Sequence, residues 1–184
     1  MSRSAAIHDR VAAAILDAAA ELLAAGGDPA SMRDIAEAAG VARGTLYRYF
    51  PSREQLLTAL GEAALDAISA RLDQAGLDSV PVTEGIARVA RAFAAVGSKY
   101  AFLVSQPQHI RAGALEERIG DPVRSLLKRG IDDGTFRPDF SADELGYALG
   151  GLLHNAARMA AEDRSGTERA AAFASAIFLN GACR

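Results

Sequence analysis

A chain of 184 residues that is half hydrophobic has enough apolar material for one or two small cores, and a lone cysteine, Cys183, excludes an intramolecular disulfide. A formal net charge of −3 excludes a protein that coats nucleic acid over its whole surface, yet leaves room for a local basic patch. The N-terminus lacks the continuous apolar core of a signal peptide and no charge-free apolar run is long enough to span a bilayer, so a soluble, cytoplasmic protein with no membrane partner is expected.

Aromatic residues make up only 6% of the chain and no run alternates Val, Ile and Thr as a strand would, so the expected fold class is all-α. The first helix runs from about Ile7 to Ala25 on the spacing of Val11, Ile15, Ala18 and Leu22, and Gly26-Gly27 stops it. Ser31 caps the next helix, which carries Ile35, Ala36 and Ala39 and ends on a left-handed Gly40. Ala36 and Gly40 are also the small residues expected where two helices cross closely. Leu46, Tyr49 and Phe50 give the following helix an inward apolar side, so residues 31–50 read as a helix-turn-helix. Charge supports this: residues 1–41 hold three arginines against six acids, whereas residues 42–53 hold Arg43, Arg48 and Arg53 and no acid. Positive charge therefore gathers on the helix placed to read DNA and just after it.

Pro51 ends that helix, and Ser52 with Gln55 forms a capping-box arrangement opening another. Leu56, Leu60, Ala64, Ala67 and Leu72 keep one apolar side to Ala75, a rod of roughly 36 Å. The boundary between an N-terminal three-helix domain (1–51) and a larger helical domain (52–184) is placed here. After the loop Gly76–Val82, Thr83 is the expected cap of a helix with Ile86, Val89, Ala90, Phe93, Val96 and Tyr100 in phase, helical order continuing with interruptions to Val104. Pro107 breaks the run; a short helix from about Gln108 ends at Gly120, and Asp121-Pro122 supplies the cap and first-turn proline of the next, which ends at Gly134. Ser141 and Glu144 cap a helix reaching about Glu162, and Ser165-Gly166 leads to a last helix from Thr167 to about Gly181. Gly146, Gly150 and Gly151 among alanines allow close backbone approach, with Phe173, Ile177 and Phe178 supplying bulk. Helices so weakened by glycine need packing, which makes Gly146, Gly150, Phe173 and Ile177 candidates for an interface between two copies; packing within one chain is the alternative.

The string SMRDIAEAAGVARGTLYRYFPSREQLL closely resembles the TetR family of bacterial transcriptional regulators over roughly residues 8–60, and Gly134-Thr-Phe-Arg-Pro-Asp139 is a weaker echo. The resemblance implies a homodimer whose two helix-turn-helix units read a near-palindromic double-stranded DNA operator. It also implies a C-terminal ligand-binding and dimerisation domain paired through the last two helices, and repression relieved when a small-molecule effector tilts the fourth helix. By the same resemblance Arg43 occupies a base-reading position, suited to guanine, and Gly44 allows close approach to the groove. Thr45 is placed for a phosphate or a thymine methyl. Tyr47 and Tyr49 correspond to phosphate-contacting aromatics, Tyr49 standing where histidine is commoner; Arg48 reads a base or a phosphate; Ser31 and Arg53 grip phosphates on either side. Ala42 departs from the pattern, where a capping Ser or Thr is common.

The effector side is less legible. Candidate pocket residues are Phe93, Tyr100, Phe102, His109, Tyr147, His154, Asn155, Arg158 and Met159, with Tyr147, His154 and Arg158 sharing one helical side; ordinary core packing is the alternative for the aromatics. Their polarity suggests an amphiphilic or partly anionic ligand. No cofactor or metal is expected and no enzymatic activity, since His8, His109 and His154 show no ligand spacing and Cys183 is terminal, where an intermolecular redox role stays open. Control by a protein partner, and activation instead of repression, are also open.

Overall fold

Serine side chains at Ser31, Ser52 and Ser141 cap three helix starts in the computed structural model, which describes residues 3–24, 30–97, 99–100, 109–162 and 166–183, with side chains from residue 10 onward. The helices are α1 (Arg3–Ala24), α2 (Met32–Ala38), α3 (Arg43–Tyr49), α4 (Arg53–Ala75), α5 (Val82–Gly97), α6 (Ala112–Leu115), α7 (Asp121–Asp132), α8 (Ala142–Glu162) and α9 (Thr167–Ala182). Among the described residues the only β-type pairing is a single bridge between Phe136 and Cys183. The all-α fold is as expected; the Gly26-Gly27 stop lies outside the described residues, and α1 begins four residues before Ile7.

Ser31 caps α2 through a reciprocal box: its Oγ accepts from the Asp34 amide at 3.3 Å, and its own amide donates to the Asp34 carboxylate at 2.9 Å. At the other end Gly40 has φ +65°, with its N–H on the Glu37 carbonyl and the Val41 N–H on the Ala36 carbonyl, a Schellman ending. A Cβ built on Gly40 meets nothing within 4 Å, so the glycine serves the backbone angle and not the close helix crossing expected of it. Ala36, 1% exposed, is buried in the apolar core of this head.

Two further expectations are corrected. α5 starts at Val82, with the Gly85 amide bonded to the Pro81 carbonyl, so Thr83 lies in the first turn and is not the cap. The chain also does not stop at Gly120: α6 widens into a π turn (Glu116–Gly120), where the Asp121 amide reaches the Glu116 carbonyl, and continues directly as α7. Pro122 has no N–H to offer the ladder, and the wider turn before it lets the helix pass through a residue that otherwise marks a boundary.

Two apolar cores form. The first joins Ile15 and Ala19 of α1, Ile35 of α2, Leu46 of α3 and Leu56, Leu57 and Leu60 of α4 with Val96 and Tyr100, so it extends past residue 51. The second joins Leu65 and Leu72 of α4 to Ile86, Val89, Leu127, Leu149 and Leu153, and is sealed by Phe136 edge-on to Phe178 at 5.8 Å. The rod α4, about 34 Å long, thus belongs to both. Among the close approaches that glycine permits, two are to neighbours that cannot rotate aside: a Cβ at Gly61 would lie 2.2 Å from the His109 carbonyl oxygen, and one at Gly97 would lie 2.4 Å from the Ala157 Cβ on α8.

Candidate functional site

The helix α3 is only seven residues long, and its burial is concentrated in Leu46, fully buried, backed by Phe50 just beyond its end. With that side turned inward, Arg43, Gly44, Tyr47 and Arg48 are exposed and Thr45 half-buried. The Arg48 guanidinium lies over the Tyr49 ring at 5.5 Å, while Tyr49 itself packs half-buried against the first core. Ala42, extended at φ −66° and ψ 144°, caps α3 without a side-chain hydrogen bond, as its departure from the family pattern implies. Arg53 is differently employed: its Nη1 donates to the Ala30 carbonyl, tying the start of α4 to the approach to α2. The Ser31 hydroxyl also donates to the Asp34 carboxylate at 2.7 Å, and these bonds hold the Asp34 carboxyl below its usual range.

Beneath the second half of α4 is a cavity of about 750 Å³. Its apolar wall is built from Leu65 and Ile68 of α4, Phe93 and Val96 of α5, Ile119, Val123 and Leu153. Of the expected pocket residues, Phe93, Tyr100, Tyr147 and His154 come together on it. His109, Asn155, Arg158 and Met159 do not line it. His109 packs its backbone on Gly61, exposed Asn155 bonds the Gly151 carbonyl, and Arg158 points to Glu162 at 4.0 Å. Phe102 lies outside the described residues. With Arg158 turned away, the anionic ligand suggested by its charge loses its support.

The charged groups that do line the cavity escaped the sequence reading: Glu116, Arg124 and Asp143. Arg124 donates from Nε to Asp143 at 2.9 Å, from Nη1 to Asp121 at 2.7 Å and from Nη2 to Glu116. Those bonds, to Glu116 first and then Asp143, hold its pKa above the usual arginine value. The Asp121–Arg124 spacing is a local signal for one arm of this cluster, but Asp143 is nineteen residues from Arg124 and no local pattern joins them. Nearby, Glu62 of α4 faces Arg111 at 3.7 Å and Arg118 at 3.5 Å, and Arg118 bonds Asp66 at 2.7 Å, so ion pairs fasten the π turn to the rod.

The expected interface group divides. Gly146 and Gly150 line the cavity, whereas Phe173 and Ile177 stand 46% and 49% exposed on α9. Ile177 borders a shallow groove of about 310 Å³ with Phe140, Ala148 and Leu152, and Met159 adds exposed apolar surface on α8. Leu152 was not singled out by sequence, because nothing local distinguishes it from a core position, whereas Ala148 belongs to the small-residue face read on this helix. Among the described residues no cluster of His, Cys, Asp or Glu could hold a metal ion, and no helix is long and apolar enough to cross a membrane.

The geometry agrees with comparisons to known proteins. Residues 15–60 match the family described as bacterial regulatory proteins, tetR family. The chain is 37% identical over 136 residues to the HTH-type transcriptional repressor LfrR of Mycolicibacterium smegmatis, an alignment covering 72% of this chain and 70% of that protein. A solved structure of LfrR from Mycobacterium smegmatis in complex with proflavine superposes with a TM-score of 0.68 at 27% identity, covering 91% of this chain and 95% of that one. RolR in complex with resorcinol superposes with a TM-score of 0.62 at 26% identity, covering 97% and 90%. With an exposed basic α3 on a helix-turn-helix head and a relative of this identity and coverage, the chain belongs to the tetR family of bacterial regulatory proteins and is a DNA-binding transcriptional regulator, not an enzyme.

Proposed function

We propose that this regulator is a repressor that holds a two-fold symmetric operator as a homodimer and lets go when a small molecule enters the cavity. The observation that carries the reading is the rod α4: its first half is core to the DNA-binding head, and its second half is a wall of the cavity. A ligand that prefers one position of that wall over another shifts the head by the same preference. Arg43, Gly44, Thr45, Tyr47 and Arg48 are the residues assigned to the DNA, with Tyr49 steering Arg48 and Ser31 and Arg53 bracing the helix pair at its phosphate-facing ends. Pairing of two copies is assigned to the outer face of α8 and α9 around Phe173, Ile177 and Leu152. An open cavity favours a small-molecule effector over control by a protein partner, and the neighbours solved with proflavine and resorcinol support the same choice.

The test is selection of bound duplexes from a random pool, with sedimentation of the protein alone and on the selected duplex. A two-fold symmetric site occupied by a dimer is expected, and Ile177→Asp, which places a charge on the pairing face, is expected to yield a helical monomer that no longer retains the site. Enrichment of a single asymmetric half-site bound by one chain overturns the reading.

A further inference from the structure

We infer that the cavity selects a lipophilic cation, its apolar ring system held against α4 and α5 and its positive charge beside Glu116 and Asp143. The inference rests on the cavity being the effector site, and it commits to the sign of the ligand's charge.

The lining is apolar along α4 and α5, where Leu65, Ile68, Phe93 and Val96 face the void, so the body of a ligand there is hydrophobic. Its charged lining comes from Glu116, Arg124 and Asp143 alone among the described residues. Arg124 is ringed by three carboxylates, Glu116, Asp143 and Asp121, which leaves a local excess of two negative charges around one guanidinium. An anionic ligand would have to compete with three carboxylates already on that guanidinium, and none of them would gain by its arrival. A cation meets the excess directly. The neighbouring cations do not reverse the sign: Arg118 and Arg111 are turned to Glu62 and Asp66 on α4. The sequence between Lys99 and Arg111 adds no charge except what His109 acquires on protonation. Glu116 and Asp143 keep 52% and 70% of their side chains exposed, so they stand where the cavity meets solvent and act on the charged end of a ligand whose ring lies deeper.

Three acridines share one ring and differ in charge at pH 8: N-methylacridinium, acridine and acridine-9-carboxylate. Binding to the full chain is read from probe fluorescence at low and high salt. The cation is expected to bind tightest and the carboxylate weakest, with about a five- to tenfold step between cation and neutral ring at low salt that shrinks as salt is added. Glu116→Gln with Asp143→Asn is expected to erase that step. Arg124→Gln, which removes the cluster's own cation, is expected to widen it. Loss of the step in both variants would mark a merely structural cluster and overturn the inference. Equal affinity for cation and neutral ring, or tighter binding of the carboxylate, would overturn the charge rule and leave the cavity as a binding site. Failure of all three rings to bind would overturn both.

Discussion

Three arginines lie between positions 42 and 53, and their surroundings give them different work. Arg43 is exposed on α3 and forms no ion pair among the described residues, so its fork is available to a base edge. Arg53 already donates to the Ala30 carbonyl and binds the head together. Arg43→Ala is therefore expected to cost about 1–3 kcal/mol in operator binding and relax specificity at one base pair, with the urea midpoint unchanged. Arg53→Ala is expected to lower folding stability by about 1 kcal/mol and to weaken DNA binding through the head's geometry. Parallel urea titrations and operator-binding curves check both, and an Arg53→Ala protein of unaltered stability would return that residue to direct phosphate contact. Asp34 adds a pH dependence. Its carboxyl is held below the ordinary value of 3.8 by the Ser31 hydroxyl and amide. Its share of stability is therefore full above about that value and is lost as pH falls through the lower folded pKa. In Ser31→Ala the hydroxyl's part of that effect is absent, so the stability gap between the two proteins is expected to narrow as pH drops below 3.8; a gap independent of pH would show that the box does not stabilise the charged form.

At the scale of elements, glycine divides into kinds that the sequence shows alike. Gly40 answers to a backbone angle, Gly61 to a neighbouring carbonyl, and Gly150 to neither, since a Cβ there meets nothing within 4 Å. Gly61→Ala is expected to destabilise by about 1–3 kcal/mol, because the obstacle is backbone and cannot rotate aside. Gly150→Ala is expected to stabilise α8 by about 0.5–1 kcal/mol through helix propensity alone. Thermal melts of both variants decide the matter, and a destabilising Gly150→Ala would reveal a close contact there that the isolated chain does not make. The same contrast explains what was legible beforehand. Capping is written in adjacent residues, so the starts of α2, α4 and α8 could be read from Ser31, Ser52 and Ser141. The passage through Pro122 depends on a π turn that has no composition of its own, and so Asp121-Pro122 read as a beginning. Close approaches such as Gly61 on His109 join residues 48 positions apart and leave only a glycine inside a helical pattern as their trace.

For the molecule as a whole, the question is how occupancy of the cavity reaches the head. The basic character of α3 was readable because its residues are consecutive, whereas the cavity's charge was not, since Glu116, Arg124 and Asp143 meet only after α6, α7 and α8 have packed. That same packing supplies the connection: Glu116, Ile119 and Gly120 of the π turn line the cavity, and Arg118 between them is paired with Glu62 and Asp66 on the rod. A ligand pressing on the π turn therefore pulls on α4, whose N-terminal half is core to the head. If ligand release works through this route, linkage requires the effect to run equally in both directions. With a coupling of about 1–3 kcal/mol, saturating operator is expected to weaken the affinity of an acridinium probe by about 5- to 150-fold, the same factor by which the probe weakens operator binding. Breaking the tether with Arg118→Gln is expected to shrink both factors together while leaving probe affinity in the absence of DNA nearly unchanged, because Arg118 does not line the cavity. Probe titrations with and without operator, in the parent and in Arg118→Gln, measure all four constants. Equal factors that survive the loss of Arg118 would move the route to the direct contacts of Leu65 and Ile68 with the ligand, and a probe that binds without any change in operator affinity would remove the cavity from control of the head.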